Sequence, residues 1–361
     1  MNKSHNQHPF FKQTNPWNDN TNDIWLASTL RLYRNLSTFK FPNKLDKKNR
    51  TQIISLISNN SDLKKRLSNP ETIKAENLTP QEKEYLYEHF LSSESFHHAH
   101  SGEAFILDDS GKFLLTLNIH EHLVFYTSTV KGDLENAWNQ LVDMEISLGQ
   151  TLNYAFNPKF GFLTANPNYC GTGLLTHVYL HLPALIFTSQ IETLLKEHEK
   201  KQILFSSFQG EKNEFVGDIL TLYNNCTIGL SSEDIINSLH TTATKLSVAE
   251  KSCRNQIKKD SSPLIRDKVS RAFGLLTHSY QLETKEALQA ISLCKLGVEL
   301  DWISGVDHKT LNNLFFTLRR AHLQQTLHEE SSLENLPLKR AEFIKPFLEN
   351  AQLSPLFSKE I

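Results

Sequence analysis

Five histidines fall in two close groups, His97, His98 and His100, then His120 and His122, and a metal ion would be sought there first. The spacing argues against one. Neighbouring histidines on a strand or loop point apart, and an i, i+2 pair binds metal only where Cys or carboxylate partners converge on it. No metal is expected. Cys170, Cys226, Cys253 and Cys294 occur singly, without a CxxC, which fits reduced and mostly buried thiols rather than a disulfide framework or a zinc site. Cys170 abuts Gly171-Thr172-Gly173 and invites a nucleophile reading. A tight turn that needs positive φ, with an inert packed thiol beside it, explains the same residues. Glu211, in the run Gly-Glu-Lys-Asn-Glu, is either a carboxylate that meets a substrate or a solvated loop acid. Neither a GxGxxG nor a GxxxxGK[ST] phosphate loop is present.

These residues need a scaffold, and the composition supplies a globular one. The chain has 361 residues, 39% hydrophobic and 22% charged, enough for one large domain or two smaller ones. Lys plus Arg (38) nearly balances Asp plus Glu (40), so no net basic field exists to draw nucleic acid or an anionic membrane. No apolar run approaches the roughly 18 residues of a spanning helix, and the first twenty residues lack a signal-peptide core, so a cytoplasmic protein is expected. Residues 1–22 read as a mobile leader rich in Asn and His. From Ile24 to about residue 245, β-like and helical runs alternate. Residues 113–119 and 122–130, rich in β-branched and aromatic side chains, predict an antiparallel hairpin, and an amphipathic helix follows over 133–150. Beyond about 255 the pattern is helical. Leu288, Ile291, Cys294 and Val298 form one stripe and Leu293, Leu296 and Leu300 another, which predicts a helix over 285–303 with more apolar surface than one intramolecular face needs, and hence a homodimer. Leu311, Leu314, Phe315, Leu318 and His322 repeat the spacing, and Pro337 and Pro346 punctuate the final segments. The polar run at 251–263, ending Ser-Ser-Pro, is the expected linker. The predicted organisation is a leader (1–22), a catalytic-type domain (23–255) and a helical, dimerising domain (258–361).

The segment FGFLTANPNYCGTGLLTHVYLHLPAL (160–185) resembles the signature region of the ATP:guanido phosphotransferases, and more closely that of the bacterial protein arginine kinases. DIWLASTLRLYRN (23–35), LNIHEHLVF (117–125) and SFQGEKNEFVGDILTLYNNCTIG (207–229) follow the order this family requires. The resemblance covers roughly residues 23–350. It implies an α/β (α+β) fold, a large antiparallel sheet flanked by helices, followed by a C-terminal helical domain. Small-molecule phosphagen kinases place their helical domain first, so domain order favours the protein-arginine branch. The implied reaction moves a phosphoryl group from ATP to a guanidinium nitrogen. It needs Mg and several cations to hold the polyphosphate, with carboxylates to orient and deprotonate the guanidinium.

Carried over position by position, that machinery is thinned. Of two cradle arginines in the first segment, one position holds Thr29 and the other keeps Arg31. In the second, His120 stands where a guanidinium-binding Glu is expected, and Val124 where an Arg is. In the signature, Asn166 takes the thiolate position and Leu175 an arginine position. In the last, Ser206 takes an arginine position while Glu211 keeps the second carboxylate. One arginine of five remains, with Lys159, Lys201 and Lys212 the cations able to compensate. The tail motif that receives phosphoarginine in the bacterial enzymes keeps only Arg340 and Ala341. Lys339 with Arg340 either grips a phosphate or forms a solvated helix face. Losing one such donor typically costs about 2.7–4 kcal/mol in the transition state, so this many losses predict a noncatalytic member. Such a protein would act as a scaffold in bacterial protein quality control or stress regulation and bind protein arginine side chains or a zinc-containing activator protein. An active kinase with a remodelled site, using ATP and Mg, is the alternative.

Overall fold

The computed structural model describes residues 20–92, 94–130, 132–198, 203–208, 214–327 and 335–354. Its centre is an eight-stranded sheet in the order β2-β3-β4-β5-β1-β8-β10-β9. These strands are β1 (Trp25–Arg34), β2 (Glu71–Lys74), β3 (Ala104–Leu107), β4 (Phe113–Leu117), β5 (Leu123–Thr129), β8 (Leu174–His181), β9 (Ile203–Ser207) and β10 (Ile219–Asn224). Two short pairs lie apart from it, β6 (Phe156–Asn157) with β7 (Gly161–Phe162) and β11 (Ile303–Ser304) with β12 (Gln352–Leu353). The pairs from β2 through β5 to β1 are antiparallel. All ten residues of β1 are buried, as a strand covered on both faces requires, which is why its apolar residues do not alternate cleanly with polar ones.

The helices are α1 (Lys47–Ser58), α2 (Ser61–Arg66), α3 (Pro80–His89), α4 (Leu134–Gly149), α5 (Pro183–Phe187), α6 (Ile191–His198), α7 (Ser232–Asp260), α8 (Pro263–His278), α9 (Thr284–Glu299), α10 (His308–Thr317), α11 (Arg320–Leu327) and α12 (Leu336–Ile344). Among the described residues no helix is long and apolar enough to cross a membrane. The chain divides into two compact units. One holds the described residues between 28 and 177 and from 223 to 239. The other holds those from 20 to 27, between 178 and 222, and from 240 to 354.

In the first unit the predicted hairpin is β4 with β5, in the register Leu115 opposite Phe125 and Leu117 opposite Leu123. Its turn places Asn118 at φ +61°, a conformation Asn tolerates, and the Asn118 amide donates to the carbonyls of Arg50 and Gly102. The predicted helix over 133–150 is α4, which buries Leu134, Ala137, Trp138, Leu141, Met144 and Leu148 along one face. A capping box of Thr79 and Glu82, with Pro80 in the first turn, starts α3.

In the second unit the structure departs from three expectations. The end of the expected leader is packed: Asn20 is fully buried, and the Asn312 amide donates to the carbonyls of Asn20 and Asn22, each at 2.9 Å. Residues 1–19 lie outside the described residues. The expected linker is helix through Asp260, because Cys253, Arg254 and Ile257 are buried and the polar residues between them form the exposed face of α7. The break comes only at Ser261, with φ +46°, before Pro263 opens α8. Finally, α9 packs against α5, α8 and α10, so Leu288, Ile291 and Cys294 of one stripe and Leu296 and Leu300 of the other are all buried within this unit. Val298 and Leu293, one from each stripe, are half-buried, so most of the apolar surface of this helix is spent inside the unit.

Candidate functional site

Alternation along β1 sets Thr29, Arg31 and Tyr33 on one face, and the register places them opposite Ser128, Tyr126 and Val124 of β5. Every one of these side chains is buried. Arg31 is 1% exposed. Its Nη2 donates to the Leu91 carbonyl at 2.7 Å, and its guanidinium carbon lies 5.5 Å from the Tyr126 ring centre. Aromatic rings pack here as well. Tyr169 stacks on Tyr33 with centroids 4.6 Å apart, and Tyr223 stacks on His177 at 5.3 Å. Burial raises the Tyr33 phenol pKa well above its ordinary range and pushes that of Tyr126 up to about 12, while burial and then the charge of Arg31 hold the His177 imidazole pKa well below its usual value. Leu175 shares the His177 side of β8 and is buried too.

One residue after the β4–β5 turn begins to close, His120 projects outward and sets Nε2 3.2 Å from Glu94 Oε2; both are partly exposed. Glu94 also hydrogen-bonds the Tyr169 side chain. The next residue, Glu121, turns inward. Its carboxylate accepts from the Asn35 amide, from the backbone N–H of Ala165 at 2.8 Å and from that of Asn166 at 3.4 Å. Burial raises its pKa despite these donors. His122 Nδ1 accepts from the Leu36 N–H at 3.0 Å, which leaves Nε2–H to donate to the Lys40 carbonyl at 2.9 Å, and burial brings its pKa down to about 4. Three consecutive residues thus serve three different purposes. Among the described residues no three His, Cys, Asp or Glu side chains gather to hold a metal ion.

The Gly-Thr-Gly turn closes the same face. Gly171 has φ +104°, and a Cβ there would lie 2.1 Å from the Thr227 carbonyl oxygen; a Cβ on Gly173 would lie 2.7 Å from that of Tyr33. Cys170 keeps its thiol 3.3 Å from the Thr164 hydroxyl and is half-buried, as is Cys226, whereas Cys253 and Cys294 are buried and burial pushes the Cys294 thiol pKa up to about 12. Arg34, unassigned from sequence, pairs with Glu145 at 2.6 Å, donates to the carbonyls of Tyr33 and Thr172, and lies 3.4 Å over the Phe162 ring.

Comparison with known proteins fits this architecture. The family described as ATP:guanido phosphotransferase, C-terminal catalytic domain, matches residues 52–253, and the Protein-arginine kinase McsB C-terminal domain matches residues 263–358. A protein-arginine kinase of Chlamydia pneumoniae is 36% identical over 312 residues, covering 86% of this chain and 87% of that protein. The chain belongs to the ATP:guanido phosphotransferase family, among the protein-arginine kinases. A second relative, from Halothermothrix orenii, is 33% identical over 90% of this chain and 92% of its own length. Among solved structures, the duplicated taurocyamine kinase of Schistosoma mansoni aligns with TM-score 0.56 at 21% identity over 73% of this chain, which spans 38% of that longer protein. Lombricine kinase aligns with TM-score 0.52 at 17% identity, over 67% of this chain and 70% of its own. These two show the shared fold.

Within the first unit the structure gathers Thr29, Arg31, Val124 and, through Glu121 and Tyr169, the neighbourhood of His120 and Asn166. Lys159 is exposed, with its ammonium 5.4 Å from the Phe160 ring centre. Ser206 sits half-buried on β9 in the second unit, and Glu211, with Lys201 and Lys212, lies outside the described residues. Arg340 does not form part of a solvated helix face. It is 2% exposed, donating from Nε to the Leu318 carbonyl at 2.9 Å and from Nη1 to that of Leu282 at 2.7 Å, which ties α12 to the chain before α9 and the end of α10. Sequence reasoning missed Glu94, Tyr126 and Tyr169, because nothing in their spacing links residues so far apart in the chain.

Proposed function

We propose that this protein is a noncatalytic member of the protein-arginine kinase family, keeping the scaffold to bind an arginine-bearing protein or a regulatory activator. The observation that carries this reading is the buried state of the face where the resemblance puts the phosphate cradle. Thr29, Val124 and Leu175 are neutral and covered, and the one retained cation there, Arg31, already donates to a backbone carbonyl and lies against Tyr126. Such a set does not fit the polyphosphate of Mg-ATP, which needs several accessible cations. At about 2.7–4 kcal/mol for each lost transition-state donor, the deficit is of the size of a typical enzyme's whole acceleration. Recognition of an arginine side chain needs only carboxylates and no ATP. Glu94 is the half-buried acid beside His120, and Glu211 is the carboxylate the resemblance retains. A role in bacterial protein quality control follows from the family rather than from the site.

Calorimetry with Mg-ATP tests the reading, with binding expected no tighter than about millimolar. A micromolar dissociation constant, or phosphoarginine on a protein substrate incubated with ATP, would overturn it in favour of an active kinase with a remodelled site. In parallel, an arginine-containing peptide should bind more weakly to Glu94→Gln and Glu211→Gln than to wild type. Equal affinities in all three would move partner binding to another surface.

A further inference from the structure

The second unit contains a polar recess of about 300 Å3 lined by Asp23, Lys251, Arg254, Asn255, Lys258 and Glu299, with Leu300 at its edge. Residues 251, 254, 255 and 258 share one face of α7 by their three- and four-residue spacing. Formal charge alone does not decide what the recess would hold, because its three cations face two acids and Lys258 is drawn to a third, Asp301. Hydrogen-bonding capacity does. Asp23 Oδ2 already accepts from Arg254 Nη1 at 2.6 Å, Glu299 Oε1 is 2.5 Å from His308 Nε2, and Lys258 pairs with Asp301. Arg254 itself is spent on Asp23, Glu250 and the His181 carbonyl.

What remains unspent is a set of donors. Lys251 and Asn255 are exposed on α7, and neither side chain makes a hydrogen bond or ion pair with another described residue. Lys295, one turn before Glu299 on α9, is 1% exposed, and its Nζ has no acceptor. Its charge is felt by Arg254, Asp23 and Glu299, three of the lining residues, and burial followed by Arg254 brings its pKa down to about 7. A buried ammonium is costly, and negative charge in the recess would relieve it through the field, since Nζ itself is sealed from the recess.

We propose that this recess binds a small oxyanion of the phosphate class, with Lys251 and Asn255 gripping it from the helix face and the charge of Lys295, buried beneath, adding to the attraction. A cationic ligand would find the carboxylates already committed, whereas an oxyanion brings the acceptors that Lys251 and Asn255 lack. The anion is either free phosphate or a phosphoryl group carried on a peptide, since both present the same oxygens.

Titration of the full chain with inorganic phosphate should give saturable binding below about millimolar and a melting temperature that rises with phosphate but not with chloride at equal ionic strength. Lys251→Ala and Asn255→Ala, on an exposed helix face, should each weaken binding by about tenfold, and Lys295→Met, similar in bulk but uncharged, should reduce the thermal shift. A phosphoserine peptide binding more tightly than free phosphate assigns the oxyanion to a protein ligand; the reverse order assigns it to the free ion. Absence of saturation up to about 10 mM of either probe overturns the site, and so does binding that both surface variants leave unchanged. Those two variants decide the matter even where Lys295→Met fails to fold.

Discussion

At the scale of single residues, the run from His120 to His122 shows how little a sequence motif says about orientation. His120 faces outward to Glu94, Glu121 clamps a loop, and His122 is a neutral core histidine. The last of these gives a signed prediction. The His122 pKa is held at about 4 in the folded chain, below the ordinary 6.5, so between those values the unfolded chain binds more protons. The stability it contributes is complete above about pH 6.5 and is lost as pH falls toward 4. In urea titrations, the advantage of wild type over His122→Gln should therefore be largest at neutral pH and shrink on acidification; a constant difference would contradict the assignment. Asp218 runs the other way. Burial raises its pKa from 3.8 to about 6, so its contribution is present at low pH and disappears as pH rises through 6. The gap between wild type and Asp218→Asn should widen on going from pH 7 to pH 4. For Glu121→Ala we expect a loss of about 1.5–3 kcal/mol, because the Ala165 N–H and the Asn35 amide are left facing a void.

At the scale of elements, local pattern carried the reading wherever one face of a segment decides its fate. The β4–β5 hairpin and α4 were legible because their apolar residues recur at the strand and helix periods. The helix running through 251–260 was not, since its buried positions include Arg254, whose burial depends on Asp23 from a distant point in the chain as well as on Glu250 one turn before it. The candidate site was legible as a set of missing cations, but the rings that pack there, Tyr33 against Tyr169 and Arg31 against Tyr126, depend on strand pairing that no local window contains. Two elements can be broken by single changes. The Glu250 carboxylate accepts from the Ala184 and Leu185 N–H groups at the start of α5 and from Arg254, so Glu250→Ala should cost about 1–3 kcal/mol by leaving buried donors without an acceptor, Asp23 still pairing with the guanidinium. Gly171→Ala has no room for its methyl group against Thr227 and should fail to accumulate as soluble protein or melt far below wild type; a melting temperature within a degree or two would refute the close approach.

At the scale of the whole molecule, α9 buries most of its two stripes within its own unit and leaves Leu293 and Val298 half-buried, and sedimentation equilibrium of a concentrated sample decides the oligomeric state directly. The two compact units also carry their own reporters. Cys170 and Cys226 belong to the first and are half-buried, whereas Cys253 and Cys294 belong to the second and are buried. Alkylation with iodoacetamide, followed peptide by peptide in a mass spectrometer, becomes a clock with two hands. The first pair should react within the native state, while Cys294, with its thiol pKa raised to about 12, should wait for the second unit to open. The ratio of the two rates then measures how independently each half breathes, without any cysteine having to be engineered.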